Sequence, residues 1–372
     1  MGLKSPIPLQ DLKFNVPVPY QTHVDRDLLI LTKQKLSLAP YAEEQSDFNE
    51  NDWSQGAKVS GVSELVSFWK DEYDWGNEEF FDHFIVKLNV PGYGPLVLHY
   101  AYNRSTNPNA MPLFFSHGWP APFASYPSFH LVAPSIPGFG FSPAPTKSGV
   151  GSEVVARAYT ILMKDILHYP RYVTQGGDFG SFITRSLAIN FPENIRGQHL
   201  NMVPVPPPTL LSAPMANLPR ENFEINQSGY LEQQKTRPQA LGFALGDSPI
   251  SLLAWFVEKL HDWGDVHDAF SNTDIITFVM MHWIQGVTPG LRFYPEKTLK
   301  HTSQSLPGYR GVLLKFLNKC PQDWAAQAAN IQYWKEYERG GHFSSLERPD
   351  LFVKDMRAFF PSSSVVKSFY RG

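Results

Sequence analysis

Apolar positions recur with two different periods along this chain. Up to about residue 85 the spacing is helical: DRDLLILTKQKL and SELVSFWKDEYDWGNEEFFDHF each repeat apolar side chains on one face, with the polar stretch EEQSDFNENDWSQG between them as a loop. The three tryptophans of this region, Trp53, Trp69 and Trp75, are expected to fasten it to the rest of the molecule by packing. Beyond residue 85 the texture changes. FIVKLNV and LVLHYAY alternate as antiparallel strands joined by Pro91, Gly92, Tyr93 and Gly94. MPLFFSHGWP and FHLVAPSIPGFGFS are continuous apolar runs that stop in glycine- and proline-rich turns, the pattern of strands covered on both faces. GSEVVARAYTILMKDIL predicts a helix, YVTQGG a strand, SFITRSLAINF the helix behind it, and HLNMVPVPPP another short strand.

Residues 204–300 break this rhythm. ENFEINQSGYLEQQK, SPISLLAWFVEKLHDW and TDIITFVMMHWIQGV are helical, and an insertion of helices after the strand that follows a sharp turn suits a lid. The rhythm returns with the strand GVLLKF, the helix PQDWAAQAA, the strand NIQYWKEY, the turn RGGHFSSLERP and a final helix, DLFVKDMRAFF. The expected class is therefore α/β, a mostly parallel sheet flanked by helices. Four parts are expected: an amino-terminal lobe (1–85), a first core part (86–203), a helical cap (204–300) and a second core part (301–372).

The bulk numbers narrow the partners. A chain of 372 residues with 42% hydrophobic and 18% charged residues can bury one large core with an added lobe. The formal net charge of −3 and the lack of a basic stripe argue against nucleic acid as a partner. The single cysteine, Cys320, rules out an intrachain disulfide framework and fits a reducing, cytoplasmic setting. The opening MGLKSPIPLQDLKF has no long apolar run, so neither a secretory signal nor a stable membrane anchor is expected. A homodimer is left open.

Asp178 is the most informative single residue. It stands between a predicted strand and a predicted helix, flanked by Gly176, Gly177 and Gly180, where glycines permit a crowded turn and positive φ. The pattern is a nucleophile elbow carrying a carboxylate where serine is usual. A carboxylate in that place can attack a saturated electrophilic carbon and form an ester that water must cleave. The plain alternative is an acidic residue capping an ordinary helix. His342 follows in GGHF, late in the chain and on a glycine-rich loop, placed to act as a general base on that water. Trp119 in HGWP and Phe179 after the elbow are candidates to supply backbone N–H groups to an oxyanion. Tyr230 and Tyr294 lie in the helical insertion, and protonated phenols there can hold an epoxide oxygen. With 16 tyrosines present, spacing alone does not separate this pair from packing residues. No HExxH, CxxC or GxGxxG occurs, so neither a metal nor a nucleotide cofactor is expected.

Taken together, FWKDEYDWGNEE, MPLFFSHGWP, VAPSIPGFGFSPAP, QGGDFG, SGYLEQQKTRPQALGFALGDSPISLLAWFVEK and GGHFSSLERPDLFVKDMRAFF resemble the microsomal-type epoxide hydrolases, including their soluble fungal members. The resemblance spans nearly the whole chain. It implies an α/β-hydrolase fold with an amino-terminal meander and a helical cap. It also implies cofactor-free opening of an epoxide, a small apolar substrate, through a covalent ester to a vicinal diol. Residue by residue it places the nucleophile at Asp178, the base at His342 and the epoxide-oxygen donors at Tyr230, in GYLEQ, and Tyr294, in RFYPE. Soluble fungal relatives include detoxifying enzymes and members of biosynthetic pathways.

Three departures qualify it. Where the family carries an acid to orient the histidine, counting back from Trp324 and His342 gives Phe316, between Lys315 and Leu317. Glu336 and Glu338 are the candidate substitutes. Only APFASYPS separates HGWP from the next strand, short for a crossover. The usual tryptophan after the nucleophile is Phe179. The first reading is thus an epoxide hydrolase-like enzyme with a weakened second step. The alternatives are a biosynthetic epoxide-opening cyclase or isomerase, and a non-catalytic small-molecule binding protein.

Overall fold

Apolar strand runs of the kind seen here need cover on both faces, and a computed structural model shows how they find it. It describes residues 8–45, 52–75, 81–118, 129–203, 227–265, 269–296, 322–362, 365–366 and 369. The described strands are β1 (Val18–Pro19), β2 (Asp82–Val90), β3 (Gly94–Asn103), β4 (Pro112–Ser116), β5 (His130–Pro134), β6 (Tyr172–Gly176) and β7 (Ile195–Leu200). They form one sheet in the order β1-β2-β3-β5-β4-β6-β7. The half from β1 to β5 pairs antiparallel, and β5-β4-β6-β7 is parallel. Alternation along the parallel strands sends side chains to two cores. Phe114 and Val132 join the larger core with Tyr159, Phe179 and the cap helices. Leu113, Phe115, Leu131, Ala133 and Val173 face Phe352, Met356 and Phe359 of the helix Pro349–Phe359 on the other side. Each large side chain so buried contributes about 1.5–3 kcal/mol.

The described residues of 204–300 include the helices Gly229–Thr236, Pro238–Asp247, Pro249–Trp263, Asn272–Trp283 and Val287–Glu296. The third starts with Ser248 accepting from Ser251 N–H and Pro249 in its first turn. The fourth starts with a reciprocal cap between Ser271 and Asp274. The amino-terminal helices Arg26–Leu38 and Val59–Asp71 lean on this cap. Trp283 Nε1–H donates to Thr32 Oγ1 at 2.8 Å, and Tyr73 and Thr277 share a hydrogen bond of 3.1 Å. Trp53 stacks on His261 of the cap at 3.7 Å, Trp69 is buried in the core, and Trp75 meets Phe141 edge-on at 6.5 Å.

Three local expectations need correction. The second amino-terminal helix stops at Asp71, and His83 and Phe84 belong to β2, because their backbone pairs with Ala101 and Tyr100 of β3. The helix from Ser152 widens into a π-helical turn over Ile161–Ile166 before Leu167. Residues 330–337 form no strand among the described residues. Tyr333 and Tyr337 anchor this segment by donating their O–H groups to Asp355 Oδ1 at 3.1 and 2.6 Å. The predicted strand GVLLKF lies outside the described residues. No single described helix is long and apolar enough to cross a membrane.

Candidate functional site

Strand β6 delivers the chain to the turn, and the helix Phe179–Asn190 takes it away. Asp178, at the junction, has φ 47° and ψ −124°. This left-handed conformation costs a non-glycine residue about 1–3 kcal/mol and is held only where the surroundings over-determine it. The expectation that the glycines would carry the positive φ is therefore corrected: the strain sits on the aspartate. The neighbouring glycines are needed for close approach instead. A Cβ on Gly180 would lie 2.0 Å from the Ser116 carbonyl oxygen, and one on Gly118 would lie 2.3 Å from Asp178 Cβ. The elbow is thus pressed against the end of β4.

The His342 ring lies on the turn before the short helix Ser344–Glu347, with Nε2 3.7 Å from Asp178 Oδ2. The imidazole is almost fully buried, while the Asp178 side chain keeps 21% of its exposure. His342 N–H donates to the Trp263 carbonyl at 2.8 Å, so the last turn of a cap helix holds the loop. The Glu347 carboxylate does the same from the other side. It accepts from Gly341 N–H (3.0 Å), Phe343 N–H (2.9 Å) and Asp265 N–H (2.7 Å), bracketing His342 and joining its loop to the cap.

The two cap tyrosines reach the same place. Tyr294 is buried, its ring 4.8 Å from Phe179 and 6.1 Å from Tyr230. Tyr230 in turn meets Trp263 at 5.0 Å, and Trp263 meets His342 at 5.1 Å. An arc of rings therefore runs from the helix that starts at the elbow to the histidine. Burial raises the Tyr230 phenol well above its ordinary value, and the Asp178 charge adds to the shift. Tyr294 is likewise raised well above its ordinary value by burial, by Tyr230 and by Asp178. Both remain protonated donors at neutral pH, and both sense the Asp178 carboxylate.

The HG turn before Trp119 is fixed by its own histidine. His117 Nδ1–H donates to the Gly118 carbonyl at 3.0 Å, and Nε2 accepts from Ile136 N–H at 2.9 Å. Both ring nitrogens are committed with the imidazole neutral. Burial pushes its pKa down, opposed by the Gly118 carbonyl and by Asp178. Phe179 is the first residue of its helix, where an amide N–H has no acceptor within the helix itself. Trp119 and Phe316 lie outside the described residues, as does the short link after HGWP. Glu336 and Glu338 are exposed, and Glu336 accepts from Trp334 Nε1–H at 3.0 Å. Among the described residues no three His, Cys, Asp or Glu side chains converge as metal ligands.

Sequence reading passed over His117, Glu347, Gln175 and Asn201. The last two lie at the carboxyl ends of β6 and β7, where open parallel sheets build their sites, and a polar residue closing an apolar strand was the available signal.

A family model described as "Epoxide hydrolase N terminus" matches residues 17–126, and one for the alpha/beta hydrolase fold matches residues 94–236. A putative epoxide hydrolase of Stigmatella aurantiaca is 32% identical, over 92% of this chain and 84% of that protein. The structure of Aspergillus niger epoxide hydrolase superposes with a TM-score of 0.79 at 28% identity, covering 92% of this chain and 96% of that one. Juvenile hormone epoxide hydrolase from the silkworm Bombyx mori shares the fold, with a TM-score of 0.82 at 22% identity, covering 97% and 96%.

Proposed function

The chain belongs to the epoxide hydrolase family, and we propose that it opens a small apolar epoxide by attack of Asp178 and hydrolyses the resulting ester to a vicinal diol. The observation that carries this reading is Asp178 at the strained elbow, its carboxylate 3.7 Å from His342 and its charge adding to burial in raising both phenols across the arc of rings. In the first step an Asp178 oxygen bonds to a ring carbon as the carbon–oxygen bond of the epoxide breaks. The electron pair goes to the epoxide oxygen, which takes a proton from Tyr230 or Tyr294. In the second step His342 takes a proton from water, and the hydroxide adds to the Asp178 ester carbon. The N–H groups of Phe179 and Trp119 receive the oxyanion. The tetrahedral intermediate collapses, the alkoxide leaves with the proton from His342, the Asp178 acid so formed releases its proton, and the tyrosine phenolate takes one up from solvent, restoring both groups. The reading also takes the lone cysteine, Cys320, to indicate a reducing, cytoplasmic setting.

A second reading draws on Phe316, which stands where an acid to orient His342 is expected. In it the substrate's own nucleophile completes the reaction and the product is cyclic. One experiment separates the two. In a single turnover in heavy-oxygen water, ester hydrolysis returns an unlabelled diol, because its new oxygen comes from Asp178, and leaves the label in Asp178. A direct attack of water labels the first diol. A cyclising enzyme labels neither product nor Asp178.

A further inference from the structure

At the carboxyl ends of β4, β6 and β7 lies a partly open cavity of about 30 Å³ directly beside the nucleophile. Its wall includes Asp178, His342, Gln175, Asn201, Phe115 and Phe352. The volume exceeds the roughly 10–15 Å³ that one water needs. A water also needs about two to four polar partners.

Gln175 supplies one. It pairs with Phe115 in the β4–β6 register, so both side chains project from the same face of the sheet, toward Phe352. Its amide nitrogen donates to Asn201 Oδ1 at 3.1 Å, and Asn201 Nδ2 donates to Ser344 Oγ at 3.0 Å. That chain ties the amide to the loop of the histidine. Gln175 is 1% exposed, and Oε1 has no hydrogen-bond partner. A buried acceptor of this kind is normally satisfied by protein or by an ordered water.

We propose that this cavity holds the water consumed in the second step and that Gln175 is its positioning residue. One O–H of the water points to Gln175 Oε1 and the other to His342 Nε2, which aims the oxygen lone pair at the Asp178 ester carbon. His342 takes its proton as the carbon–oxygen bond forms. The 3.7 Å gap between His342 and Asp178 leaves the two groups unbonded to each other, as a water serving both requires. The polar chain from Gln175 to Ser344 keeps the amide in register with the histidine.

The inference rests on the ester reading above, and its test keeps the two apart. Gln175→Met removes the acceptor at similar volume. In rapid-quench single turnovers with an apolar epoxide, adduct formation should stay within about twofold of the wild type, while adduct decay slows by about 10- to 100-fold, the cost of a misplaced reactant. Equal decay in the two proteins overturns the water site while the ester reading stands. No Asp178 adduct in the wild type overturns both. Should the variant not fold, a high-resolution crystal structure of the wild type decides. An ordered water at hydrogen-bonding distance from Gln175 Oε1 supports the proposal, and a cavity without ordered density there refutes it.

Discussion

His342 Nε2 and Asp178 Oδ2 are 3.7 Å apart, near enough for charge to matter and too far for a hydrogen bond. A base locked onto the nucleophile would compete with substrate for it. Held at this distance, the imidazole does not itself bind the Asp178 oxygen that attacks in the first step, and it can take a proton from water in the second. The separation is set by two anchors that do not involve either reacting group. The strained elbow fixes Asp178, and the Trp263 carbonyl with the Glu347 carboxylate fixes the histidine loop.

That loop is the basis of a stability prediction. Glu347→Gln replaces a carboxylate that accepts three backbone N–H groups with an amide that has one acceptor oxygen. With charge-assisted bonds contributing about 1.5–3 kcal/mol each, the variant should lose about 2–4 kcal/mol in urea denaturation. Hydrogen exchange should rise at residues 341–343 and at Asp265 together, since one carboxylate ties both. Faster exchange confined to residues 341–343 would show that the link to the cap is not made by Glu347.

The tyrosines should act in the first step. Tyr230→Phe and Tyr294→Phe should each slow adduct formation, and the double variant by about 100-fold or more, within the usual range for a positioned acid. Adduct decay should change little. Because burial and the Asp178 charge both raise these phenols above the ordinary value of 10.0, adduct formation should show no loss from phenol ionisation as pH rises to that value. An unchanged rate in the double variant would remove both from the mechanism.

Acid should unfold the protein early. Burial lowers His282 to about 4 and His199 to about 3, and lowers His99 and His117 as well, from an ordinary value of 6.5. Below that value the unfolded chain binds protons that the folded chain does not, so stability is full above it and falls as pH drops. For His282 the window runs from pH 6.5 to about 4. Each such histidine contributes a slope of about 1.4 kcal/mol per pH unit inside its window. Denaturation midpoints measured from pH 7.5 to pH 5 should therefore decline, and His282→Phe should flatten the slope.

Much of this was legible in the residues. The alternation in FIVKLNV and LVLHYAY gave an antiparallel pair with its turn, and the uniform apolar runs gave strands covered on both faces. QGGDFG placed the elbow. What the pattern did not carry was which residue bears the strain: flanking glycines suggest glycine at positive φ, whereas Asp178 adopts it and Gly180 is needed for its close approach to Ser116. NIQYWKEY misled for a similar reason. Aromatic alternation looks the same whether backbone pairing or, as here, tyrosine hydroxyls on Asp355 hold the segment. Glu347 and Gln175 escaped notice because their roles depend on contacts with residues remote in sequence, Asp265 and Asn201.

Phe316 remains the sharpest departure from the family pattern. If no carboxylate orients His342, ester hydrolysis is the slow step, and Phe316→Asp should speed adduct decay. The gain should fall well short of the roughly 10,000-fold cost of losing such an acid elsewhere. Rapid decay in the wild type that Glu336→Gln or Glu338→Gln abolishes would instead locate the acid at one of those positions.

The account stands on a covalent bond to Asp178, and mass spectrometry reads that bond directly. After a brief incubation with an epoxide that the enzyme turns over, the intact protein should gain the mass of one substrate. Digestion should place the gain on the peptide containing Asp178, and Asp178→Ala should show neither adduct nor turnover. Full activity in Asp178→Ala, with no mass gain in the wild type for any epoxide it turns over, would contradict the account.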